Sequence, residues 1–92
     1  MPTLFYQLTE TPVDLGDKLK LEDDVTYVMQ YQGHGGAKLV TLHESYSAPQ
    51  HGSDGFILLP MERVDIKPVA DNKIYAWHDG NGSGKLVVEE AV

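Results

Sequence analysis

Cysteine is absent from this sequence of 92 residues. Neither a disulfide framework nor a cysteine-based zinc site can therefore hold the chain together. A chain of this length has room for one hydrophobic core, so its stability must come from the packing of that core or from partner subunits. The composition is more typical of an intracellular protein or of a subunit in an assembled particle than of a small secreted module.

Basic residues are few, with seven Lys and Arg against fourteen Asp and Glu, and the formal net charge is −7. Such a surface repels a phosphate backbone, so we expect no nucleic-acid partner. The acidic residues are scattered, and the adjacent pairs Asp23-Asp24 and Glu89-Glu90 are typical of a solvated face rather than of a calcium site. No cofactor is predicted.

Long apolar runs are also missing. No stretch approaches the roughly 20 residues that a membrane-spanning helix needs, so no membrane partner is predicted. The first ten residues, MPTLFYQLTE, lack the basic flank and the apolar stretch of a signal peptide. We therefore expect a soluble protein that is not exported by the usual route.

Helical periodicity is absent too, because no stretch of ten or more residues carries apolar residues at the spacing i, i+3, i+4, i+7. Short segments closed by Gly, Pro, Asn or Asp, which are typical of strands, make up the chain instead. The sequence predicts an all-β fold, a small single-domain β-sandwich or barrel of about eight short antiparallel strands. The expected strands are 3–9, 18–22, 26–32, 37–44, 55–60, 63–67, 73–78 and 85–90.

Apolar residues in several of these segments recur with a period of two, as expected of strands with one buried face. In the segment 73–78, two aromatic residues lie on the face opposite to Ile74 and Ala76. Burial of large side chains from such faces stabilises a fold by about 1.5–3 kcal/mol each. The predicted core residues are Tyr27, Met29, Tyr31, Val40, Leu42, Val64, Ile66, Leu86 and Val88. Tyr75 and Trp77 are also predicted to lie in the core, because aromatic residues at this spacing are more often core residues than parts of a ligand-binding face.

Residues 1–12 are predicted to form an N-terminal strand or arm, and residues 13–92 the β-sandwich domain. The strand-like TLFYQLT is separated from the body by TETPVDLGD, so it can pair with the body or with a sheet edge of a neighbouring chain. The stretch GHGG, residues 33–36, predicts a sharp turn. The long polar stretch 45–55 predicts an exposed loop where a partner could bind.

The stretch HDGNGSGKLVVEE, residues 78–90, contains three glycines and a lysine, as phosphate-binding loops do. That motif requires G-x-x-x-x-G-K-[ST] before a helix. Here Asp79 stands five positions before Gly84, Leu86 follows Lys85, and KLVVEE has the pattern of a strand. We therefore interpret the stretch as a turn between two strands.

The sequence offers no convincing metal or catalytic set, so we predict no metal ligand, no catalytic residue and no enzyme. Adjacent residues such as His43 and Glu44 lie on opposite faces of a strand, and no G-x-S-x-G elbow is present. The possible metal ligands are the histidines His34, His43, His51 and His78. A catalytic triad would combine one of these histidines with Asp54 or Asp79 and with a serine nucleophile. The candidate serines are Ser45, Ser47, Ser53 and Ser83. A sugar-stacking platform of Tyr27, Tyr31, Tyr75 and Trp77 would need exposed rings.

Four segments follow one another between about residues 25 and 91: YVMQYQGHGGAKLVTLHES, SAPQHGSDG, GFILLPMERVDI and KIYAWHDGNGSGKLVVEEA. They are similar to the pattern Q-N-x-G, A-P, G-x-x-L-x-P-G-E, I-Y-x-W and G-x-L-x-V-x-E-A. With this pattern the chain resembles small β-sandwich virion proteins of tailed bacteriophages, of the head decoration or stabilisation type. This chain has Met61 where the pattern has its glycine before glutamate.

The resemblance implies a capsid decoration protein on the virion surface, made in the host cytoplasm, that binds the lattice of the major capsid protein. It also implies a homo-oligomer, preferably a trimer, because capsid lattices present local three-fold positions. The alternatives left open are a carbohydrate-binding or host-adhesion module on a tail or fibre, and a cupin-like metal-binding barrel. The predicted partner-binding residues are Leu4, Phe5, Tyr6, Tyr46, Pro49 and His51.

Overall fold

The computed structural model describes residues 3–50, 55–79 and 84–91. Within these ranges the chain forms eight strands and one short helix, which build two four-stranded antiparallel sheets packed as a β-sandwich, with no closed barrel. The prediction of a small all-β sandwich is confirmed. The elements are β1 (Leu4–Leu8), β2 (Val13–Asp14), α1 (Leu15–Lys18), β3 (Tyr27–Gly33), β4 (Gly36–His43), β5 (Phe56–Leu58), β6 (Arg63–Ile66), β7 (Asn72–Asp79) and β8 (Gly84–Glu90).

The first sheet has the strand order β1-β8-β3-β6 and the second sheet has the order β2-β7-β4-β5. The two outermost strands of the first sheet are therefore β1 and β6, and those of the second are β2 and β5. The turn at residues 59–62 joins the edge strands β5 and β6, so these two edges lie on the same side of the sandwich.

The core between the sheets is built from alternate residues of the strands, as a period of two requires. On β3 and β8 the buried side chains are the predicted ones, while Val64 and Ile66 on β6 are half-buried and pack against the core. The second sheet contributes smaller side chains. The buried core residues are Leu8, Leu15, Tyr27, Met29, Tyr31, Ala37, Leu39, Leu58, Ile74, Ala76, Leu86 and Val88.

The prediction that Val40 and Leu42 face this core is wrong. Val40 pairs with Tyr75 across β4 and β7, whereas the core residue Leu39 pairs with Ala76, so Val40 lies on the outer face of the second sheet. Strand β4 carries apolar residues on both faces, and a period of two alone does not identify the face that packs inward. The inward residues of β4 are Ala37 and Leu39.

Trp77 also lies on the outer face of the second sheet, because it pairs with Lys38, yet it is 0% exposed. A Cβ atom added to Gly55 would lie 3.5 Å from Cη2 of the indole ring, so the main chain of Gly55 packs on that ring. The predicted loop 45–55 therefore ends against Trp77. Its residues 45–50 are largely exposed, as expected, and residues 51–54 lie outside the described residues.

The predicted strand 18–22 is wrong, since Lys18 is the last residue of the short helix α1 and the residues after it form no strand. The side chain of Asp14 caps α1 by accepting a hydrogen bond from the Asp17 main-chain nitrogen at 3.4 Å. Lys20 has a φ of 55°, which no strand residue adopts. The alternation in KLKLE reflects instead that Leu19 and Leu21 are half-buried against the core.

A tight turn forms at residues 59–62 although Met61 replaces the glycine of the phage pattern. Met61 has a φ of 69°, a left-handed conformation that costs a non-glycine residue about 1–2 kcal/mol. Two hydrogen bonds hold the turn: Glu62 N donates to Leu59 O at 3.0 Å, and Leu59 N donates to the Glu62 carboxylate at 2.8 Å. Met61 N also donates to Tyr31 O at 2.7 Å, which docks the turn on β3.

The N-terminal strand β1 belongs to the first sheet of its own chain. It pairs antiparallel with β8 along its whole length, from Leu4 opposite Val88 to Leu8 opposite Gly84, and Leu8 is buried in the core. Among the described residues, its other edge has no strand neighbour. That residues 1–12 also contact a neighbouring chain stays a prediction.

Candidate functional site

The predicted partner-binding residues fall into two separate places. Leu4 and Tyr6 are half-buried and pack toward the core, while Phe5 points to the outer face of the first sheet and is 64% exposed. Tyr46 is exposed and Pro49 half-buried in the segment that follows β4 of the second sheet. His51 lies outside the described residues. The structure does not join these residues into one surface, and their role stays a prediction.

A serine and a histidine do come together after β4. The Ser45 hydroxyl lies 2.8 Å from Nδ1 of His43, the contact that an activated nucleophile needs. The same nitrogen accepts a hydrogen bond from the Ser45 main-chain nitrogen at 3.1 Å, and both side chains are exposed. In the described part of the chain, no carboxylate orients the ring. The pair forms a local turn rather than a site enclosed by the fold.

The other described histidines do not gather into a metal site. In residues 3–50, 55–79 and 84–91, no three His, Asp or Glu side chains lie close enough to hold one ion. His34 is exposed in the turn between β3 and β4, and His78 is 2% exposed on the inner face of β7. His51 and Asp54 lie outside the described residues.

His78 and Tyr31 share one hydrogen-bond acceptor, the main-chain oxygen of His34. The Tyr31 hydroxyl donates to it at 2.7 Å and Nε2 of His78 lies 3.1 Å from it, so this nitrogen carries the hydrogen. The planes of the two rings are tilted by 56°, and their centroids lie 6.4 Å apart. Burial raises the pKa of the Tyr31 hydroxyl above its ordinary value, because the charged phenolate is poorly solvated there. The cluster holds the β3–β4 turn against β7.

The four aromatic side chains that a sugar-stacking platform would use are all buried. Tyr27 and Tyr31 are core residues of β3, and Tyr75 and Trp77 are covered on the opposite side of the second sheet. A stacking platform needs exposed ring faces. These residues therefore offer none in this conformation.

The glycine-rich stretch leads into a strand, since β8 begins at Gly84 and runs to Glu90. The predicted strand 85–90 is confirmed, so the glycines lead into a strand and not into a helix whose N-terminus could bind a phosphate. Residues 80–83, where the tight reversal is predicted, lie outside the described residues. Gly84 itself is required by packing, because a Cβ atom there would overlap the ring of Tyr31.

Exposed apolar side chains concentrate on residues 56–61, which comprise β5 and the start of the turn that follows it. Phe56, Ile57, Leu59 and Met61 are each more than half exposed, while Leu58 is buried. Phe56 also borders a cleft of about 350 Å³ at the open side of the sandwich, between the edge strands β5 and β6. These side chains surround the β5 edge, with Phe56 on the core side and Ile57 on the outer side of the second sheet. Exposed apolar side chains in this number are typical of an interaction surface on a soluble protein. The cleft is lined by Leu39, Thr41, Phe56, Val64, Asp65, Ile66 and Lys67.

The charges near this cleft are unevenly distributed between its two edge strands. Strand β6 presents the exposed side chains of Arg63 and Asp65, and Lys67 follows it. Charged residues on an edge strand prevent unwanted pairing with another sheet. Strand β5 and residues 59–61 carry no charge. The second uncharged edge is β1, with the sequence LFYQL.

The 56–61 segment is not among the site residues predicted from the sequence, although its sequence contains a signal. FILL contains four adjacent apolar residues, and neighbours in a strand point to opposite faces. Such a run requires either burial on both faces or exposure of some of the side chains. Whether these side chains are buried or exposed depends on whether the strand lies in the centre or at the edge of the sheet. The order of the strands in the sheet determines this position.

No helix in the described part of the chain has the length and hydrophobicity to cross a membrane. No protein-family model matches the chain, and neither a curated protein nor a solved structure is significantly similar to it. The exposed apolar side chains of residues 56–61 are therefore the main structural indication of a function.

Proposed function

We propose that this protein is a capsid decoration protein of a tailed bacteriophage, which binds the lattice of the major capsid protein and stabilises the particle. The observation that carries the proposal is the apolar 56–61 segment on one side of a small sandwich. Exposed apolar side chains of this number are a docking surface rather than a site for chemistry. The resemblance of residues 25–91 to phage head proteins supplies the class of partner.

A decoration protein needs a stable fold, a surface for a repeated partner and no reactive group. The turn at 59–62 supports this role, because its hydrogen bonds to β3 hold Met61 in a fixed, exposed position. A rigid docking surface loses little conformational entropy when it binds. The protein acts as a homo-oligomer, preferably a trimer, so that several weak contacts to the lattice are made at once and reinforce one another.

The test compares phage particles made with and without this protein. Particles that carry it should retain their DNA to a higher temperature, and the difference should be largest at low ionic strength, where packaged DNA repels itself most strongly. The number of copies per particle should approach that of the major capsid protein. Equal DNA retention, or a few copies at one vertex, would assign the protein to a neck, tail or adhesion component instead.

A pair of variants tests the docking surface itself. Met61→Lys places a charge in the exposed 56–61 segment, whereas Val69→Lys makes the same change at an exposed apolar residue after β6. Added back to particles that lack the protein, the Met61 variant should bind at least about tenfold more weakly than the wild type, while the Val69 variant should bind like it. Equal binding of both variants would exclude the 56–61 segment as the capsid contact.

A further inference from the structure

We infer that the edge of strand β6 binds an extended segment of another protein, which extends the first sheet and places alternate apolar side chains in the cleft beside it. The inference concerns a surface distinct from the exposed turn at 59–61 and does not rest on the proposed virion function. It follows from the free main-chain groups of β6, from the apolar cleft beside them, and from the order of the charges along the strand.

Strand β6 is held to the first sheet through every second residue. It is outermost in that sheet, and β3 is its one strand neighbour among the described residues. Tyr31 N of β3 donates a hydrogen bond to Glu62 O at 3.2 Å, immediately before β6 begins. In an antiparallel ladder the hydrogen-bonded residues recur at every second position. The N–H and C=O groups of Val64 and Ile66 therefore pair with β3.

The main-chain groups of Arg63 and Asp65 point in the opposite direction. Since these residues alternate with Val64 and Ile66, their N–H and C=O groups are directed away from β3, to the open side of the sandwich. Among the described residues, no strand occupies that side. An extended segment laid against β6 can pair with these groups and continue the first sheet.

The cleft beside this edge suits the side chains that such a segment directs inward. The cleft has a volume of about 350 Å³ and lies between β6 and β5. Its aliphatic lining comes from Leu39 of the second sheet and from Val64 and Ile66 of the first. Neighbouring residues of a strand point to opposite faces, so every second side chain of the bound segment enters this cleft. The inward residues of the segment are therefore apolar.

The charges on the outer face of β6 determine the other residues of the segment. Arg63, Asp65 and Lys67 are exposed, and their charges alternate in sign along the chain. Side chains directly opposite each other on adjacent strands stabilise the pairing when their charges are opposite and destabilise it when the charges are alike. The complementary segment thus carries acidic, basic and acidic residues at every second position. This order is the same in both directions, so it fits a parallel or an antiparallel segment.

The charged edge is selective for this reason. A segment with the reverse order of charges would place like charges opposite each other at three positions. An uncharged segment would partly desolvate the charged side chains of β6 without giving them partners. The same charges that protect β6 from unwanted pairing therefore select a complementary partner.

The sequence of this chain does not supply the complementary order. Nowhere does a Lys or Arg have acidic residues both two positions before and two positions after it. The net charge of −7 also opposes the approach of a second copy. The occupant is therefore a segment of a different protein.

The experiment measures how the full chain binds two labelled synthetic peptides with blocked ends, by fluorescence anisotropy. The first is Thr-Glu-Val-Lys-Val-Glu-Thr, and the second, Thr-Lys-Val-Glu-Val-Lys-Thr, has the same apolar residues and the reverse order of charges. We expect the first peptide to bind at least about tenfold more tightly, because opposite charges then face each other along β6. The net charge of the protein favours the second peptide, which is positive, so it cannot produce this preference. Equal affinities, a preference for the second peptide, or no binding of either at millimolar concentration would overturn the inference.

A charge-exchanged variant assigns the preference to β6. Arg63→Glu, Asp65→Lys and Lys67→Glu together reverse the three charges at exposed positions, where substitutions have little effect on stability. This variant should bind the second peptide at least about tenfold more tightly than the first. Lys73→Glu is the control, because Lys73 is an exposed residue of β7 in the other sheet, and it should keep the wild-type preference. An unchanged preference in the charge-exchanged variant would contradict the proposed contact.

Hydrogen exchange of the wild-type chain locates the bound peptide without any variant. The amides of Arg63 and Asp65 should exchange more slowly when the first peptide is present, whereas those of Val64 and Ile66 already pair with β3 and should change little. Protection of residues 4–8 or 56–58 alone would place the peptide at another sheet edge and exclude β6. Protection of Arg63 and Asp65 that rises with protein concentration in the absence of peptide would assign this edge to a second copy instead.

Discussion

Gly84 begins β8 against the ring of Tyr31, in a space that a methyl group would overlap. We expect Gly84→Ala to lower the free energy of unfolding by about 1–3 kcal/mol, because overpacking forces the ring or the strand to move. Gly36→Ala is the control, since a Cβ atom there would meet its nearest neighbours at an ordinary 3.5 Å. Urea denaturation measures both variants, and equal losses would contradict the role given to Gly84.

Tyr31 makes the stability of the fold depend on pH in the alkaline range. Because burial raises its pKa, the folded chain holds the phenol proton more tightly than the unfolded chain does. This stabilisation is fully present below the unfolded pKa of about 10 and is lost as the pH rises through the folded pKa. Tyr31→Phe removes the titrating group together with its hydrogen bond to His34 O, which is worth about 1 kcal/mol.

The measurement is the melting temperature of both proteins across the alkaline range. The wild type should be the more stable near neutral pH and should lose stability more steeply above pH of about 10. Parallel curves for the wild type and Tyr31→Phe would show that the titration of this residue does not contribute.

At the scale of secondary-structure elements, β1 is a strand of the sandwich that carries the core residue Leu8 and the exposed aromatic residue Phe5. Leu8→Ala should destabilise the protein by about 2–5 kcal/mol, because Leu8 is buried between the sheets. Phe5→Ala on the same strand should change stability by about 0.5 kcal/mol or less, since Phe5 is exposed. Thermal denaturation of the two variants tests whether β1 is a strand of the fold or a detached arm, in which case neither variant would differ from the wild type.

The strands that could be predicted from sequence are those in which local and long-range preferences agree. β3, β7 and β8 are rich in aromatic and β-branched residues, and turn residues close their ends. The segment 18–22 has an alternating pattern but follows a helix capped by Asp14, a local interaction that the pattern does not reveal. The inward face of β4 was not predictable either, because both of its faces are apolar.

The exposed site was less predictable than the fold, for a physical reason. FILL is apolar whether its strand lies in the centre of a sheet or at an edge, and only the order of strands in the second sheet makes Phe56 and Ile57 exposed. That order is set by pairing between residues distant in sequence. The turn at Met61 was likewise recognisable as a turn, but its hydrogen bonds to β3 were not.

At the scale of the whole molecule, the charge of −7 opposes self-association wherever the contact lies. Raising the salt concentration from about 50 mM to about 500 mM should therefore strengthen the proposed homo-oligomer, because screening reduces the repulsion between acidic copies. Sedimentation velocity at both concentrations measures this. Association that weakens as the salt concentration rises would contradict the prediction, because it would mean that salt bridges between the copies outweigh their net repulsion.

The position of Trp77 determines what the intrinsic fluorescence of this protein reports. It is the one tryptophan of the chain, and it is buried on the outer face of the second sheet against Gly55, not between the sheets. We therefore expect its emission to respond first to release of Gly55, at the end of the 45–55 loop, from the indole ring, whereas circular dichroism responds to loss of the strands. In denaturant, a fluorescence transition that precedes the circular dichroism transition would measure a partly open state of the molecule.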